Sequence, residues 1–193
     1  RWLHWAGSWG FIMAGSGLAV SYAEFEVRSN QLAHFLRSQD LQFQDHYSVF
    51  MENNGRYMES CAAGERAGLY YTCINSYLTG DELAYIINNS ESKVLITSKS
   101  KINVVVDALT SCPNIQMVLV TDGDDVDLPE GMVDFAAAVE VCSAAPLAEE
   151  YFPGVQALHT VPIIFFATPS ASLYRPTSHC LHSSFVSCFS KSP

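Results

Sequence analysis

Apolar and polar positions follow two different spacings along most of this chain. Short apolar runs rich in β-branched and aromatic residues predict strands at 46–51, 70–74, 94–97 and 115–120. Apolar positions at a helical spacing predict helices over 22–39, 55–67, 80–88 and 102–110. Because strands and helices alternate, we predict an α/β fold with a mainly parallel sheet and helices on both faces.

Local signals mark where these helices begin and end. Ser21 precedes Glu24 by three residues, and Thr79 stands in the same relation to Glu82, which is the spacing of a capping box. Gly68 follows the second predicted helix, where a glycine commonly adopts the left-handed conformation that ends a helix. These residues predict where the first and third of these helices begin and where the second ends.

Two further segments have weaker patterns. Phe11–Ala14 and Leu18–Val20 flank Gly15-Ser16-Gly17, which predicts a β-hairpin rather than a nucleotide-binding loop, since the third glycine of the dinucleotide fingerprint is missing. Residues 121–131 form an acidic, turn-rich loop, and we predict a short helix over Met132–Val141.

Composition narrows the class of protein. The 193 residues are 49% hydrophobic and 16% charged, with a net charge of −10, so a packed core is expected. The negative charge argues against a nucleic acid or an anionic membrane as partner. The uncharged run at 161–167 is much shorter than the roughly 20 residues that a membrane-spanning helix needs. No secretory signal fits the first residues, and we expect a cytoplasmic protein.

The six cysteines are scattered, without a Cys-x-x-Cys pair, at positions 61, 73, 112, 142, 180 and 188. This spacing argues against a zinc site and against a disulfide framework. We therefore interpret the cysteines as buried free thiols.

Two motifs in the first half of the chain carry a family resemblance. Tyr22–Phe25 (YAEF) opens the first helix, and Arg66–Asn75 (RAGLYYTCIN) spans the end of the second helix and the following strand. In order and spacing, the chain from about residue 11 to 150 resembles the N-terminal part of the AMP-forming acyl-CoA synthetases, within the adenylate-forming enzyme family. Both motifs are scaffold in that family.

The resemblance implies what a full-length relative would do. It would use ATP and Mg²⁺ to adenylate a carboxylic acid, fatty or aromatic, and would then transfer the acyl group to CoA. Such relatives continue into a glycine-rich phosphate loop ending Pro-Lys-Gly. After residue 150 this sequence contains one glycine, Gly154, and one lysine, Lys191, and Thr168–Ser172 lacks glycine. We therefore predict an inactive N-terminal fragment that binds none of these cofactors tightly.

No catalytic, cofactor-binding or metal-binding residue is predicted in this chain. The other candidates have plainer explanations as solvated loops, packing residues or chance clusters. The acidic loop lacks the glycine and glutamate of a Ca²⁺-binding loop. The tyrosines Tyr70, Tyr71, Tyr77 and Tyr85 are interpreted as core and sheet packing. The other candidates considered were Asp122, Asp124, Asp125, Asp127, Glu149, Glu150, His34, His46, His159, His179, Cys180 and His182.

The last part of the sequence has a different composition. All 20 acidic residues lie between Glu24 and Glu150, whereas residues 151–193 hold five of the eight prolines. We predict a synthetase-like α/β part over 11–152 and an aberrant, disordered tail over 153–193, produced by a changed reading frame or an alternative end. The alternative to a broken ligase is a non-catalytic subdomain that binds a partner. Oligomeric state is left open.

Overall fold

The computed structural model describes residues 9–123 and 127–147. A two-stranded hairpin comes first, and helices then alternate with the strands of a five-stranded sheet. The strands are β1 (Trp9–Ile12), β2 (Ala19–Ser21), β3 (His46–Phe50), β4 (Tyr70–Ile74), β5 (Val94–Ser98), β6 (Met117–Thr121) and β7 (Met132–Asp134). The helices are α1 (Tyr22–Ser38), α2 (Gly55–Ala67), α3 (Gly80–Asn89), α4 (Ile102–Leu109) and α5 (Phe135–Val139), with a 3₁₀ turn at Lys99–Lys101.

The main sheet has the strand order β4-β3-β5-β6-β7, and every neighbouring pair is parallel. Its register places Tyr47 opposite both Tyr71 and Val94. The predicted α/β class is therefore confirmed. The four predicted strands and four predicted helices all form, with ends that differ from the predictions by no more than two residues.

The sheet separates two hydrophobic cores because alternate side chains of each strand point to opposite faces. The first core packs α1, α2 and α5 on one face, and the second packs α3 and α4 on the other. Strand residues of the first core are Tyr47, Val49, Val94, Ile96 and Leu119. Those of the second core are Phe50, Ile74, Leu95, Val118, Val120 and Met132. Burial of each such side chain stabilises the fold by about 1.5–3 kcal/mol.

Both predicted capping boxes are present. The Ser21 hydroxyl accepts a hydrogen bond from the Glu24 backbone N–H, and the Glu24 carboxylate accepts one from the Ser21 backbone N–H. Thr79 and Glu82 form the same reciprocal arrangement at the start of α3. Gly68 has φ 63°, the left-handed conformation predicted at the end of α2. These helix ends follow from short-range hydrogen bonding.

The predicted helix over Met132–Val141 is wrong in its first part. Met132–Asp134 is instead the edge strand β7, and the helix α5 is limited to Phe135–Val139. Gly131 turns the chain at φ 83°, after which Met132 pairs with Val118 of β6. Pairing with a strand distant in sequence overrides the local helical pattern.

The predicted hairpin is confirmed, with Gly15-Ser16-Gly17 in the connection between β1 and β2. Gly17 has φ 70°, and its backbone N–H donates a hydrogen bond to Met13 O at 2.8 Å. The hairpin contacts α1 through an edge-to-face pair of Phe11 and Phe25, whose ring centroids are 5.9 Å apart. Within the described ranges, no helix combines the length and hydropathy needed to cross a membrane.

Candidate functional site at the carboxyl ends of the strands

The strand order creates a crevice at the carboxyl end of the sheet. The helix that follows β3 packs on one face of the sheet, and the helix that follows β5 packs on the other. Because β3 and β5 are neighbours, the connections that leave their carboxyl ends run to opposite faces of the sheet. In other open parallel sheets, ligands bind at such a point. This crevice is therefore the candidate functional site.

Glu52 lies in the crevice, just after β3, and reaches the end of β5. Its carboxylate accepts hydrogen bonds from the hydroxyls of Ser98, at 2.5 Å, and Ser100, at 3.0 Å. Burial alone would raise the pKa of Glu52. The hydroxyl of Ser98, the backbone, Ser100 and the charge of Lys101 outweigh burial and hold the Glu52 pKa below its ordinary value.

A second group of polar side chains lines a cleft beyond β6. Arg56, Thr121, Asp122 and Asp134 surround a volume of about 190 Å³, with Phe135 at one side. Asp122 has φ 58°, an uncommon conformation for a residue other than glycine. The cleft is smaller than the 300 Å³ or more of a usual small-molecule pocket.

The crevice and the cleft are linked through Asn54. Its side-chain oxygen accepts hydrogen bonds from the backbone N–H groups of Arg56 and Tyr57, which caps the start of α2. Its amide nitrogen lies 3.5 Å from the Thr121 hydroxyl at the end of β6. The Arg56 side chain then extends over the Phe135 ring, 5.2 Å from its centroid. Sequence reasoning missed Glu52, Asn54 and Arg56, since only the sheet order brings them beside Ser98 and Thr121.

These groups can hold loops in place, but they do not form a phosphate-binding cradle. The Glu52 carboxylate is occupied by serine hydroxyls, and the cleft carries Asp122 and Asp134 beside its one cation, Arg56. Across the described residues, no cluster of three or more His, Cys, Asp or Glu could hold a metal ion. A triphosphate would meet carboxylates here without the ring of backbone N–H donors that it needs.

The histidines considered as general bases have structural contacts. His34 Nε2 lies 2.9 Å from Ala145 O, in hydrogen-bond contact with the segment after α5. His46 begins β3 and packs on Tyr70, with ring centroids 5.2 Å apart, at the end of the sheet opposite the crevice. His159 lies outside the described residues, as do Glu149, Glu150, His179, Cys180, His182, Asp124 and Asp125.

Two interpretations of side chains need correction. The tyrosines were expected to pack in the core, but Tyr77 is 90% exposed and Tyr85 is 69% exposed. Tyr77 instead receives the Lys101 ammonium over its ring. The cysteines were expected to be buried, yet among the four described ones only Cys112 is buried, and Cys73 is exposed. Tyr77 lies in the loop before α3 and Cys73 on the edge strand β4, where no second layer covers the side chain, whereas Tyr85 is on the solvent-facing side of α3.

Arg66, the first residue of the second motif, contacts α1 just after the first motif. The Arg66 guanidinium donates hydrogen bonds to both oxygens of Glu26, at 2.9 and 2.7 Å, and to the Ser29 hydroxyl at 2.8 Å. Glu59 is 1% exposed and pairs with Arg28 at 3.2 Å and with Arg56 at 3.0 Å. These charge pairs fix the two helices side by side and orient Arg56 toward the cleft.

The chain is thus an α/β subdomain with a five-stranded parallel sheet, and the contact of Arg66 with Glu26 joins its first two helices. A sequence model of the AMP-binding enzyme family matches residues 7–162, and the chain belongs to that family. The resemblance to AMP-forming acyl-CoA synthetases is thereby confirmed.

Individual relatives are similar over part of their length. A 3-oxocholest-4-en-26-oate–CoA ligase of Rhodococcus rhodochrous is 32% identical over 129 residues, which are 66% of this chain and 23% of that protein. A medium/long-chain-fatty-acid–CoA/3-oxocholest-4-en-26-oate–CoA ligase of Mycobacterium tuberculosis is 28% identical over 122 residues, or 62% of this chain and 22% of that protein. The chain thus spans about a quarter of the length of these two ligases.

A solved structure supports the fold. The crystal structure of an anthranilate CoA ligase in complex with anthranoyl-AMP aligns with a TM-score of 0.63 at 15% sequence identity. The alignment covers 67% of this chain and 24% of the ligase. The five-stranded sheet and its flanking helices therefore correspond to part of an adenylate-forming enzyme.

Proposed function

We propose that this chain corresponds to the N-terminal α/β part of an acid–CoA ligase. In the full-length relative, ATP activates a carboxylic acid as an acyl-adenylate, and CoA then receives the acyl group. The observation that carries the proposal is the family match over residues 7–162, which includes the paired motifs at the α1–α2 contact.

The proposed role of this part is structural. Arg66, Glu26 and Ser29 join the first two helices, while Glu52, Ser98 and Ser100 join the loops after β3 and β5. ATP, Mg²⁺ and CoA are required by the full-length relative. The described residues do not fit the triphosphate, because the crevice presents carboxylates and serine hydroxyls rather than a basic, glycine-rich loop. For the metal, no group of three or more His, Cys, Asp or Glu side chains is gathered among the described residues. We therefore assign no step of the reaction to a residue of this chain.

The substrate of the relative is proposed to be an apolar carboxylic acid, fatty or aromatic. The names of the relatives extend this range to a steroid side-chain acid. The described residues do not discriminate among these acids.

Acid-dependent exchange of pyrophosphate into ATP tests the activity directly. The purified 193-residue chain would be incubated with ATP, Mg²⁺ and labelled pyrophosphate, together with palmitate, anthranilate or 3-oxocholest-4-en-26-oate. We expect no exchange above a control without acid, and a full-length acid–CoA ligase run in parallel shows that the assay works. Exchange that depends on any of these acids would contradict the proposed inactivity.

A chimera tests whether this chain is a ligase scaffold or a non-catalytic subdomain that binds a partner. Residues 11–147 would replace the aligned segment of the Rhodococcus rhodochrous ligase, and acyl-CoA formation would be measured. We expect the chimera to retain activity, while the same chimera with Glu59→Gln should lose soluble yield. A chimera that folds but forms no adenylate would favour the alternative of a non-catalytic partner-binding product.

The division of the chain stays a prediction, because residues 148–193 lie outside the described residues. We propose the boundary at residues 152 and 153. Limited digestion with a protease of broad specificity should cut near Arg175 before it cuts near Arg28 and Arg66, both of which are held in ion pairs. Equal protection of Arg175 would contradict the division. A cytoplasmic location is part of the same proposal, supported by the four free thiols of the described part and testable by fractionation of cells.

A further inference from the structure

Two cysteines that are twelve residues apart in sequence lie in contact at the edge of the sheet. Cys61 is on α2 and Cys73 is on the edge strand β4, and their sulfur atoms are 3.7 Å apart. The other described cysteines are elsewhere: Cys112 is buried in the second core, and Cys142 follows α5.

The pair is placed where a soluble reagent can reach it. Strand β4 has a neighbour, β3, on one side only, so its other edge has no strand partner among the described residues. Cys73 is exposed and Cys61 is partly exposed. Cys73 is therefore the thiol that a small oxidant meets first.

The groups around the two thiols shift their pKa values in opposite directions. The hydrogen bond from the Cys61 thiol lowers the pKa of Cys73, and the Tyr57 hydroxyl acts in the same direction, although burial opposes both. The hydrogen bond to Cys73, followed by burial and the nearby charge of Glu65, raises the pKa of Cys61. The lowered pKa makes Cys73 the thiol that ionises more readily, and Cys61 stands beside it as a second thiol.

We propose that Cys61 and Cys73 form a peroxide-sensitive pair that closes to an intramolecular disulfide. The Cys73 thiolate attacks hydrogen peroxide, forming an S–O bond and breaking the O–O bond, and after protonation one water leaves. The Cys61 sulfur then attacks the sulfenic acid of Cys73, forming the S–S bond and breaking the S–O bond. The Cys61 proton and the hydroxyl leave as the second water. Two thiols are oxidised by two electrons, and one peroxide is reduced to two waters.

Closure requires only a small movement. A disulfide is about 2.05 Å long, so the sulfur atoms must approach by about 1.7 Å from their present 3.7 Å. Rotation of the Cys61 and Cys73 side chains supplies part of this, and both residues sit on regular elements that hold them side by side. The bond would link α2 to β4 across the turn at Gly68. The inference does not depend on the proposed acid–CoA ligase function.

Peptide mapping of the full 193-residue chain tests the pair. The reduced protein would be treated with hydrogen peroxide, alkylated without reductant and digested with trypsin. Cys61 is in tryptic peptide 57–66 and Cys73 in peptide 67–93. Cys112 and Cys142 are in a separate peptide, 102–191, which also contains Cys180 and Cys188, because trypsin does not cleave the Arg175–Pro176 bond. We expect the first two peptides to be joined, with a loss of two hydrogens, and dithiothreitol to release them. Cys112 and Cys142 should remain alkylated.

Three variants assign the roles. Cys61→Ser should stop cross-linking and leave a sulfenic acid on Cys73 that dimedone traps, whereas Cys73→Ser should abolish both products. Tyr57→Phe should slow peroxide consumption by roughly threefold or more, because it removes one hydrogen bond to the thiolate. A Cys112→Ser variant is the matched control, and circular dichroism checks that every variant is folded.

Several outcomes would overturn the inference. One is uniform oxidation of all the cysteines at similar rates. Another is a cross-link from Cys73 to Cys180, Cys188 or a second chain in place of Cys61. A third is a folded Cys61→Ser protein in which dimedone labels Cys73 no faster than Cys142.

Discussion

Arg66 and Glu26 are joined by two parallel hydrogen bonds, at 2.9 and 2.7 Å, between the end of α2 and the first half of α1. Arg66 begins one family motif, and Glu26 directly follows the other at Phe25. Arg66 and Glu26 are 40 residues apart in sequence and in direct contact in the structure. Their role is therefore to lock two helices against each other, which a planar guanidinium can do and an ammonium cannot.

A double-mutant cycle measures this contact. We expect Arg66→Ala and Glu26→Ala each to lower the free energy of unfolding by about 1 kcal/mol, with a coupling of roughly 0.5–1 kcal/mol, because both side chains are partly exposed. Urea unfolding would provide the values. Arg66→Lys should recover less than half of the coupling, and a full recovery by lysine would contradict the bidentate geometry.

Removing the buried carboxylate of Glu59 should cost much more. Glu59 is 1% exposed between Arg28 and Arg56, so Glu59→Gln leaves two guanidinium groups without their shared charge. We expect a loss of roughly 3 kcal/mol or more in the free energy of unfolding. Glu140→Gln is the matched control, since it removes a 56% exposed partner of the same Arg56 and should cost less than about 1 kcal/mol. Similar losses for the two variants would refute the argument.

Gly64→Ala tests whether packing or helix propensity has the larger effect on stability at this position, because the two effects have opposite signs. Alanine should stabilise a helix by about 1 kcal/mol relative to glycine. At Gly64, however, a Cβ would lie 2.5 Å from the Tyr47 hydroxyl and 2.9 Å from a Tyr71 ring carbon. Tyr47 is fully buried and its hydroxyl donates a hydrogen bond to the Ser60 backbone oxygen, so the side chain cannot easily move aside.

The packing penalty at Gly64 should dominate. We expect Gly64→Ala to lower the thermal midpoint, with a net loss of about 1–2 kcal/mol. Gly15→Ala is the control, because a Cβ added at Gly15 would meet no atom of the described residues within 4 Å. A Gly64→Ala protein more stable than the parent would show that α2 can shift away from the sheet.

Asp45 should make stability depend on pH in the acid range. Burial opposes ionisation of Asp45, but the Lys93 ammonium at 2.6 Å and the Gln42 backbone N–H outweigh it and lower the Asp45 pKa. Because the folded pKa is below the unfolded value of about 3.9, the contribution is complete above that pH. It is lost as pH falls through the lower, folded pKa.

Asp45→Asn should therefore be less stable than the parent by roughly 1 kcal/mol at pH 7, and the difference should shrink toward zero near pH 2. Urea unfolding at several pH values would measure it. Asp127→Asn removes the same charge from an exposed loop and should change stability by less than about 0.5 kcal/mol at either pH. A constant difference across the pH range would exclude the Lys93 pair as its cause.

The sequence by itself determined the elements whose signals are local. Ser21 with Glu24, Thr79 with Glu82, and Gly68 each act within a few residues, so the ends of α1, α2 and α3 followed from short-range hydrogen bonding and backbone conformation. Alternation of strands with helices also required a parallel sheet, because parallel neighbours need a crossover connection.

Only the tertiary structure decided which strands are neighbours. The order β4-β3-β5-β6-β7 brings Glu52 to Ser98 and places Cys73 on an open edge beside Cys61. It also makes Met132–Asp134 a strand, although the sequence predicts one helix over Met132–Val141. These contacts join residues far apart in the chain, whereas periodicity shows only which face of a helix or strand is apolar. Which element packs against that face is decided by tertiary packing and by the pairing of whole strands.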